Sequence, residues 1–177
     1  MIGISINRIG VLLRNAALAA LVLFACALSS GAAAEEPDFS FDLPQLGTWD
    51  DYTFEDLTEE LPLVIHLWGP DCPYCLAHMP YAAALYRKLD LDEVTYVSFS
   101  ITGDKDDIAE YLDEHELSFL TLVGEDGEYG EGWEEEGWPT TYVFAPGAEL
   151  IGWCDTVGPA YLTEMLELVE QAMESCN

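Results

Sequence analysis

Basic residues are scarce in this 177-residue chain: five Lys plus Arg stand against 34 Asp plus Glu, for a formal net charge of -29. Recognition of nucleic acid through its phosphates needs clustered cations, so that class of partner is excluded. Long apolar runs are also lacking. The run Ala16 to Leu28 falls short of the roughly 20 residues that cross a hydrocarbon core. No internal repeat is visible. Apolar material is not lacking: hydrophobic residues make up 50% and aromatics 12%, enough for a core and too much for an acidic disordered tail. The length suits one globular domain plus processing segments.

Residues 1 to 34 contain no Asp or Glu, while Arg8 and Arg14 precede the apolar run and Ala32, Ala33 and Ala34 precede Glu35. This is the layout of a secretory signal peptide over 1–34, followed by a folded domain over 35–177. Cleavage after Ala34 is the first reading. Two others stay open: an uncleaved membrane anchor, and lipidation of Cys26 behind Leu23-Phe24-Ala25. Contact with a membrane follows only if the N-terminus is retained or lipidated. The expected location is periplasmic or otherwise extracytoplasmic. After residue 34 all 34 acids face only Arg87, Lys88 and Lys105. Self-repulsion on that scale needs screening, and a halophilic setting explains the composition better than a dedicated docking surface does.

Along the mature chain, short alternations at Phe39 to Leu43 and Trp49 to Phe54 around Gly47 predict a hairpin. Leu61 to Trp68 is an apolar run of strand length. Gly69-Pro70-Asp71 breaks it before a segment with apolar spacing at Cys75, Met79, Ala82, Tyr86 and Leu89, which predicts strand, loop, helix. Val94 to Ile101 is a second buried strand, and Asp104 can cap a helix with Ile108, Tyr111 and Leu112 on one face. Phe119 to Val123 is a third strand, followed by an acidic, glycine-rich loop from Gly124 to Gly137. Thr140 to Phe144 and Glu149 to Cys154 read as an antiparallel hairpin. A closing helix begins at Pro159 and is expected to bury Leu162, Met165, Leu166, Val169 and Met173. The order implies an α/β fold, one central mixed β-sheet flanked by helices with an N-terminal hairpin extension.

Export leaves Cys72, Cys75, Cys154 and Cys176 outside the reducing cytosol. Cys72-Pro73-Tyr74-Cys75 sits where a strand and short loop deliver the chain to a helix. Cys72 then lies at the helix N-terminus, where unpaired amides and the dipole favour a thiolate. Cys75, one turn further in, is the less exposed thiol that closes the disulfide, and the chemistry is thiol-disulfide exchange. A structural zinc site would need a second pair of Cys or His at short spacing, which Cys154 and Cys176 do not make. Those two are not expected to pair, because a closing helix of residues 160 to 175 rises about 24 Å and carries Cys176 away from the turn after Cys154.

With these residues in view, the sequence resembles the thioredoxin superfamily, and within it the exported TlpA/ResA-like thiol-disulfide oxidoreductases. The shared features are Pro37-Asp38-Phe39, Phe54-Glu55-Asp56-Leu57, Trp68 ahead of Cys72, Met79-Pro80 and Trp138-Pro139-Thr140-Thr141. The resemblance implies a thioredoxin-like fold with Pro139 in cis beside the dithiol, and Pro80 kinking the active-site helix. It implies a client groove made by Trp68, Pro73, Tyr74, Trp138, Pro139, Thr140 and Gly158, in which backbone pairs with a bound chain as an added strand.

Two departures stand out. His66 occupies the family's buried polar position, usually Asp or Asn. It is read either as the base that takes the Cys75 proton or as a hydrogen-bonded core histidine. His78 stands where relatives often carry Glu, and three readings are open: a residue that tunes the thiols, a surface residue, or a metal ligand. His115, among acids at a helix end, reads as a surface residue.

The leading expectation is an exported thiol-disulfide oxidoreductase with catalytic residues Cys72, Cys75 and His66 and no cofactor. It would act on protein thiols or disulfides as a reductant, since surrounding acids disfavour the Cys72 thiolate. Apocytochrome c is the client class the resemblance suggests, with a membrane or periplasmic electron donor. The alternative is a copper-handling protein that binds Cu(I) through Cys72, Cys75 and His78.

Overall fold

The computed structural model describes residues 37–48, 50–124, 129–134 and 136–175. The signal-peptide reading of residues 1–34, and with it Cys26, lies outside them, as does Cys176. Among the described residues the chain runs β1 (Asp42–Pro44), β2 (Asp51–Thr53), α1 (Phe54–Thr58), β3 (Leu63–Trp68), α2 (Pro73–Tyr86), β4 (Thr95–Ser100), α3 (Lys105–Glu114), β5 (Leu120–Val123), a 3-10 turn (Glu131–Glu134), β6 (Thr140–Ala145), β7 (Glu149–Cys154) and α4 (Ala160–Glu174). β1 and β2 pair antiparallel as the expected N-terminal hairpin. The other strands form one mixed sheet in the order β5-β4-β3-β6-β7, parallel through β3, β4 and β5 and antiparallel where β6 joins β3 and β7.

Local chemistry places the boundaries. Thr53 caps α1 by accepting the Asp56 N–H at 3.1 Å, and Asp104 caps α3 by accepting the Asp106 N–H at 2.8 Å. α2 continues through Pro80 to Tyr86, although a proline lacks the N–H that would bond the Leu76 carbonyl. Between β6 and β7 the chain reverses through Gly147 and Ala148, both at positive φ, and only glycine adopts that conformation freely.

Strand alternation divides the interior in two. Val64, His66 and Trp68 face one side with Cys75, Met79, Ile108, Leu112, Tyr161, Met165 and Val169, under α2, α3 and α4. Leu63, Ile65 and Leu67 face the other, with Phe41, Phe54, Phe99, Tyr142 and Phe144 under the hairpin and α1.

The stretch from Gly124 to Gly137 is not merely an acidic loop: its 3-10 turn drives Trp133 into full burial, edge-on to Phe39 at 4.8 Å and to Phe54 at 5.7 Å between ring centroids. On α4 the buried stripe is Tyr161, Met165, Val169 and Ala172, whereas Leu162, Leu166 and Met173 are only partly covered. The helix is rotated so that an i, i+4, i+8 row led by a tyrosine meets the sheet.

Candidate active site

β3 ends at Trp68, and a short loop brings Cys72 to the start of α2. Its N–H bonds the Gly69 carbonyl at 3.2 Å, and its Sγ accepts the Cys75 N–H at 3.1 Å, so the sulfur itself caps the helix. Pro73 follows at the first helical position, where a missing N–H costs nothing. Cys72 and Cys75 are joined as a disulfide with Cα atoms 5.2 Å apart. Cys72 is half-buried and Cys75 is 0% exposed, while Tyr74 between them is 74% exposed. Attack from solvent is therefore possible at only one of the two sulfurs.

The antiparallel register sets Leu67 opposite Thr140, so Pro139 falls at the end of β3 where the chain departs for Cys72. The Trp138–Pro139 bond is cis, Trp138 is 39% exposed, and Thr140 Oγ1 donates to the Gly137 carbonyl at 2.8 Å. At the same end β7 finishes at Cys154 opposite Thr141, and the chain continues through exposed Val157 to Gly158 at φ 133°. Pro73, Tyr74, Trp138, Pro139 and Gly158 thus sit on one end of the sheet. Trp68 and Thr140 require correction as client contacts: both side chains are fully buried and have no surface to offer. Trp68 instead supports the site from below, its Nε1 donating to Ser98 Oγ at 2.7 Å and its ring lying 5.3 Å from Tyr111.

His66 is fully buried and shares a hydrogen bond of 2.9 Å between its Nδ1 and Thr141 Oγ1. Thr141 Oγ1 in turn meets the Tyr161 hydroxyl at 2.9 Å. His66 Nε2 has no hydrogen-bond partner among the described residues. Burial, with a smaller effect from neighbouring His78, holds this imidazole neutral, well below the ordinary histidine range.

The surface reading of His78 is overturned, because its side chain is only 1% exposed. One turn past Cys75, it points inward, with its ring 5.2 Å from His66 and edge-on to Tyr161 at 4.3 Å. Neither ring nitrogen has a partner among the described residues, and burial lowers its pKa to about 4. The copper site does not assemble either: among the described residues no three His, Cys, Asp or Glu side chains are grouped to hold a metal ion.

His115 ends α3 in an exposed position, stacked on Tyr111 at 4.1 Å with its Nδ1 2.8 Å from the Tyr111 carbonyl. Cys154 is a buried free thiol that donates to Glu164 Oε2 at 3.0 Å, and burial raises its pKa. The sequence marks Thr141 only as the end of the Trp138-Pro139-Thr140-Thr141 motif, and nothing local marks Tyr161 as its partner. A Tyr in a buried helix stripe was the available signal, but its hydroxyl partner lies 20 residues away on another element.

The sequence profile of the AhpC/TSA family matches residues 32–151. The thiol-disulfide oxidoreductase ResA of Oceanobacillus iheyensis is 28% identical over 116 residues, which span 64% of this chain and 59% of that protein. The chain therefore spans less than two thirds of the length of this curated relative. A secreted Mycobacterium tuberculosis disulfide oxidoreductase homologous to E. coli DsbE superposes with a TM-score of 0.59 at 19% identity, covering 74% of this chain and 95% of that one. The thiol:disulfide interchange protein of the thioredoxin family from Chlorobium tepidum superposes with a TM-score of 0.61 at 16% identity, covering 81% and 99%. At these identities the structures establish the fold, which is thioredoxin-like.

Proposed function

Because the chain belongs to the AhpC/TSA family and carries a dithiol at the head of α2, we propose that it is an exported thiol-disulfide oxidoreductase that reduces disulfides of protein clients. The observation that carries this reading is the asymmetry of the pair: Cys72 caps a helix within reach of solvent, while Cys75 is sealed beneath it. In the reduced protein the Cys72 thiolate attacks a client disulfide and displaces one client sulfur as a thiolate. The Cys75 thiolate then attacks Cys72, releases the second client sulfur and leaves the Cys72–Cys75 bond. Two electrons pass to the client, and an extracytoplasmic donor restores the dithiol. The helix N-terminus favours the first thiolate, and the acidic surroundings oppose it, which supports the reducing direction.

His66 is proposed as the catalytic acceptor of the Cys75 proton. Pro73, Tyr74, Trp138, Pro139 and Gly158 are proposed to line the client site. The ResA relative supports the class of reaction, the Mycobacterium protein described as secreted supports export, and apocytochrome c is the client class suggested by the resemblance. No helix among the described residues is long and apolar enough to cross a membrane.

Insulin reduction with dithiothreitol as donor tests the reading. Cys72→Ser should lose the activity, and Cys75→Ser should accumulate a mixed disulfide visible on non-reducing gels. Full activity in Cys72→Ser would end the catalytic claim.

A further inference from the structure

The sheet face beneath α2 and α4 is crossed by a polar row. In strand register, Thr121 of β5, Ser98 of β4, His66 of β3, Thr141 of β6 and Cys154 of β7 are successive neighbours, and all are buried. The parallel row one step along the strands is Tyr96, Val64 and Val143, which is mostly hydrocarbon. Burying polar groups is costly unless they are paired, so a row of them calls for a reason.

Half of the row is structural, since Ser98 holds the Trp68 indole. The other half joins groups from both helices. His66 Nδ1, Thr141 Oγ1 and the Tyr161 hydroxyl follow one another at 2.9 Å and 2.9 Å, and Cys154, the cross-strand partner of Thr141, donates to Glu164 at 3.0 Å. Tyr161 and Glu164 are three residues apart on α4 and so share a face, and Glu164 is exposed. At the opposite end His78 is three residues beyond Cys75 on α2, and its ring, without a hydrogen-bond partner among the described residues, lies between His66 at 5.2 Å and Tyr161 at 4.3 Å.

We propose that His66, His78, Thr141, Tyr161, Cys154 and Glu164 form an exit route that carries the proton of the buried Cys75 thiol to solvent beside α4 during release of the client. This rests on the exchange reaction proposed above and assigns its second step a path. Cys75 has no exposed surface, so water cannot take its proton directly, yet only the thiolate attacks. The proton passes from Cys75 to an open imidazole nitrogen. The thiolate then forms the Cys72–Cys75 bond while the Cys72–client bond breaks, and the client sulfur leaves with the electron pair and is protonated by water. An imidazole held neutral by burial does not keep the proton, and hydroxyl groups that both accept and donate pass it on. Thr141 and Tyr161 act through the imidazoles and are positioning and relay residues.

The test is single-turnover stopped-flow with the reduced full chain and the aromatic disulfide dithiobis(nitrobenzoate), which releases a coloured thiolate at each step. The first phase reports attack by Cys72 and the second reports closure by Cys75. Tyr161→Phe and Thr141→Val should leave the first phase unchanged and slow the second on the order of 10- to 100-fold, the range of lost proton-transfer assistance. Thr141→Ser, which keeps the hydroxyl, should restore the second phase. Tyr161→Phe removes only one oxygen, so its folding is the safeguard if Thr141→Val misfolds. A second phase unaltered in a folded Tyr161→Phe, or equal slowing of both phases, would overturn the route while leaving the exchange reaction standing. Absence of the first phase in the wild-type chain would overturn the exchange reaction and the route together.

Discussion

His78 brings two ring nitrogens into the interior without a hydrogen-bond partner for either among the described residues, and this has a thermodynamic consequence. Its folded pKa is lowered by burial from 6.5 to about 4. In the unfolded chain the ring takes a proton as pH falls through 6.5, while in the folded chain it stays neutral down to about 4. The unfolded state therefore binds more protons in that window, and stability is full above it and lost as pH falls. The expected loss between pH 7 and pH 5 is about 2 kcal/mol from His78 alone, with His66 adding in the same sense. Urea denaturation at the two pH values measures it. His78→Phe should flatten the dependence, and an unchanged slope would mean that this ring is solvated.

At the scale of elements, the 3-10 turn Glu131–Glu134 is anchored by the Trp133 side chain and by the Gly132 N–H, which donates to the Asp38 carbonyl at 2.8 Å. Trp133 fills the space between Phe39, Phe54 and Phe99, with centroid separations of 4.8, 5.7 and 5.8 Å, on the sheet face opposite the dithiol. Trp133→Ala should cost about 3 to 5 kcal/mol, the range for truncating a buried large aromatic side chain. The urea midpoint should fall accordingly. The same variant, once folded, should keep its Cys72 reactivity toward dithiobis(nitrobenzoate), because the sheet separates the two clusters. A midpoint within experimental error of wild type would place Trp133 outside the core.

For the whole molecule the controlling quantity is charge. The 34 acids stand against five cations, and those in the folded domain repel one another across a surface with few compensating groups. The Debye length falls from about 30 Å at 0.01 M salt to about 3 Å at 1 M, so repulsion between exposed carboxylates is nearly removed at the high end. The melting temperature should rise steadily across that range for both the chloride and the sulfate salt of sodium. A flat profile would remove the halophilic reading and leave the acids as an ordinary solvated surface.

Much of the fold was legible because its signals are local. The break after Trp68, the cysteine at the head of α2, Asp104 as a cap and the turn at Ala145–Ala148 are written in adjacent residues, and periodicity separates strand from helix within each segment. The dithiol was legible from the spacing of Cys72 and Cys75 at a strand-to-helix break, and the cis bond before Pro139 through a resemblance carried by short motifs. The burial of His78, the role of Trp133 and the row from His66 to Cys154 were decided by tertiary structure. Each depends on how segments far apart in the chain meet: the rotation of α2 and α4 against the sheet, and the order in which β3, β6 and β7 lie side by side. A residue's neighbours along the chain state its conformation, but its neighbours across the sheet are set by the packing of the entire core, and that packing is what brings two histidines, a threonine and a tyrosine together in the interior.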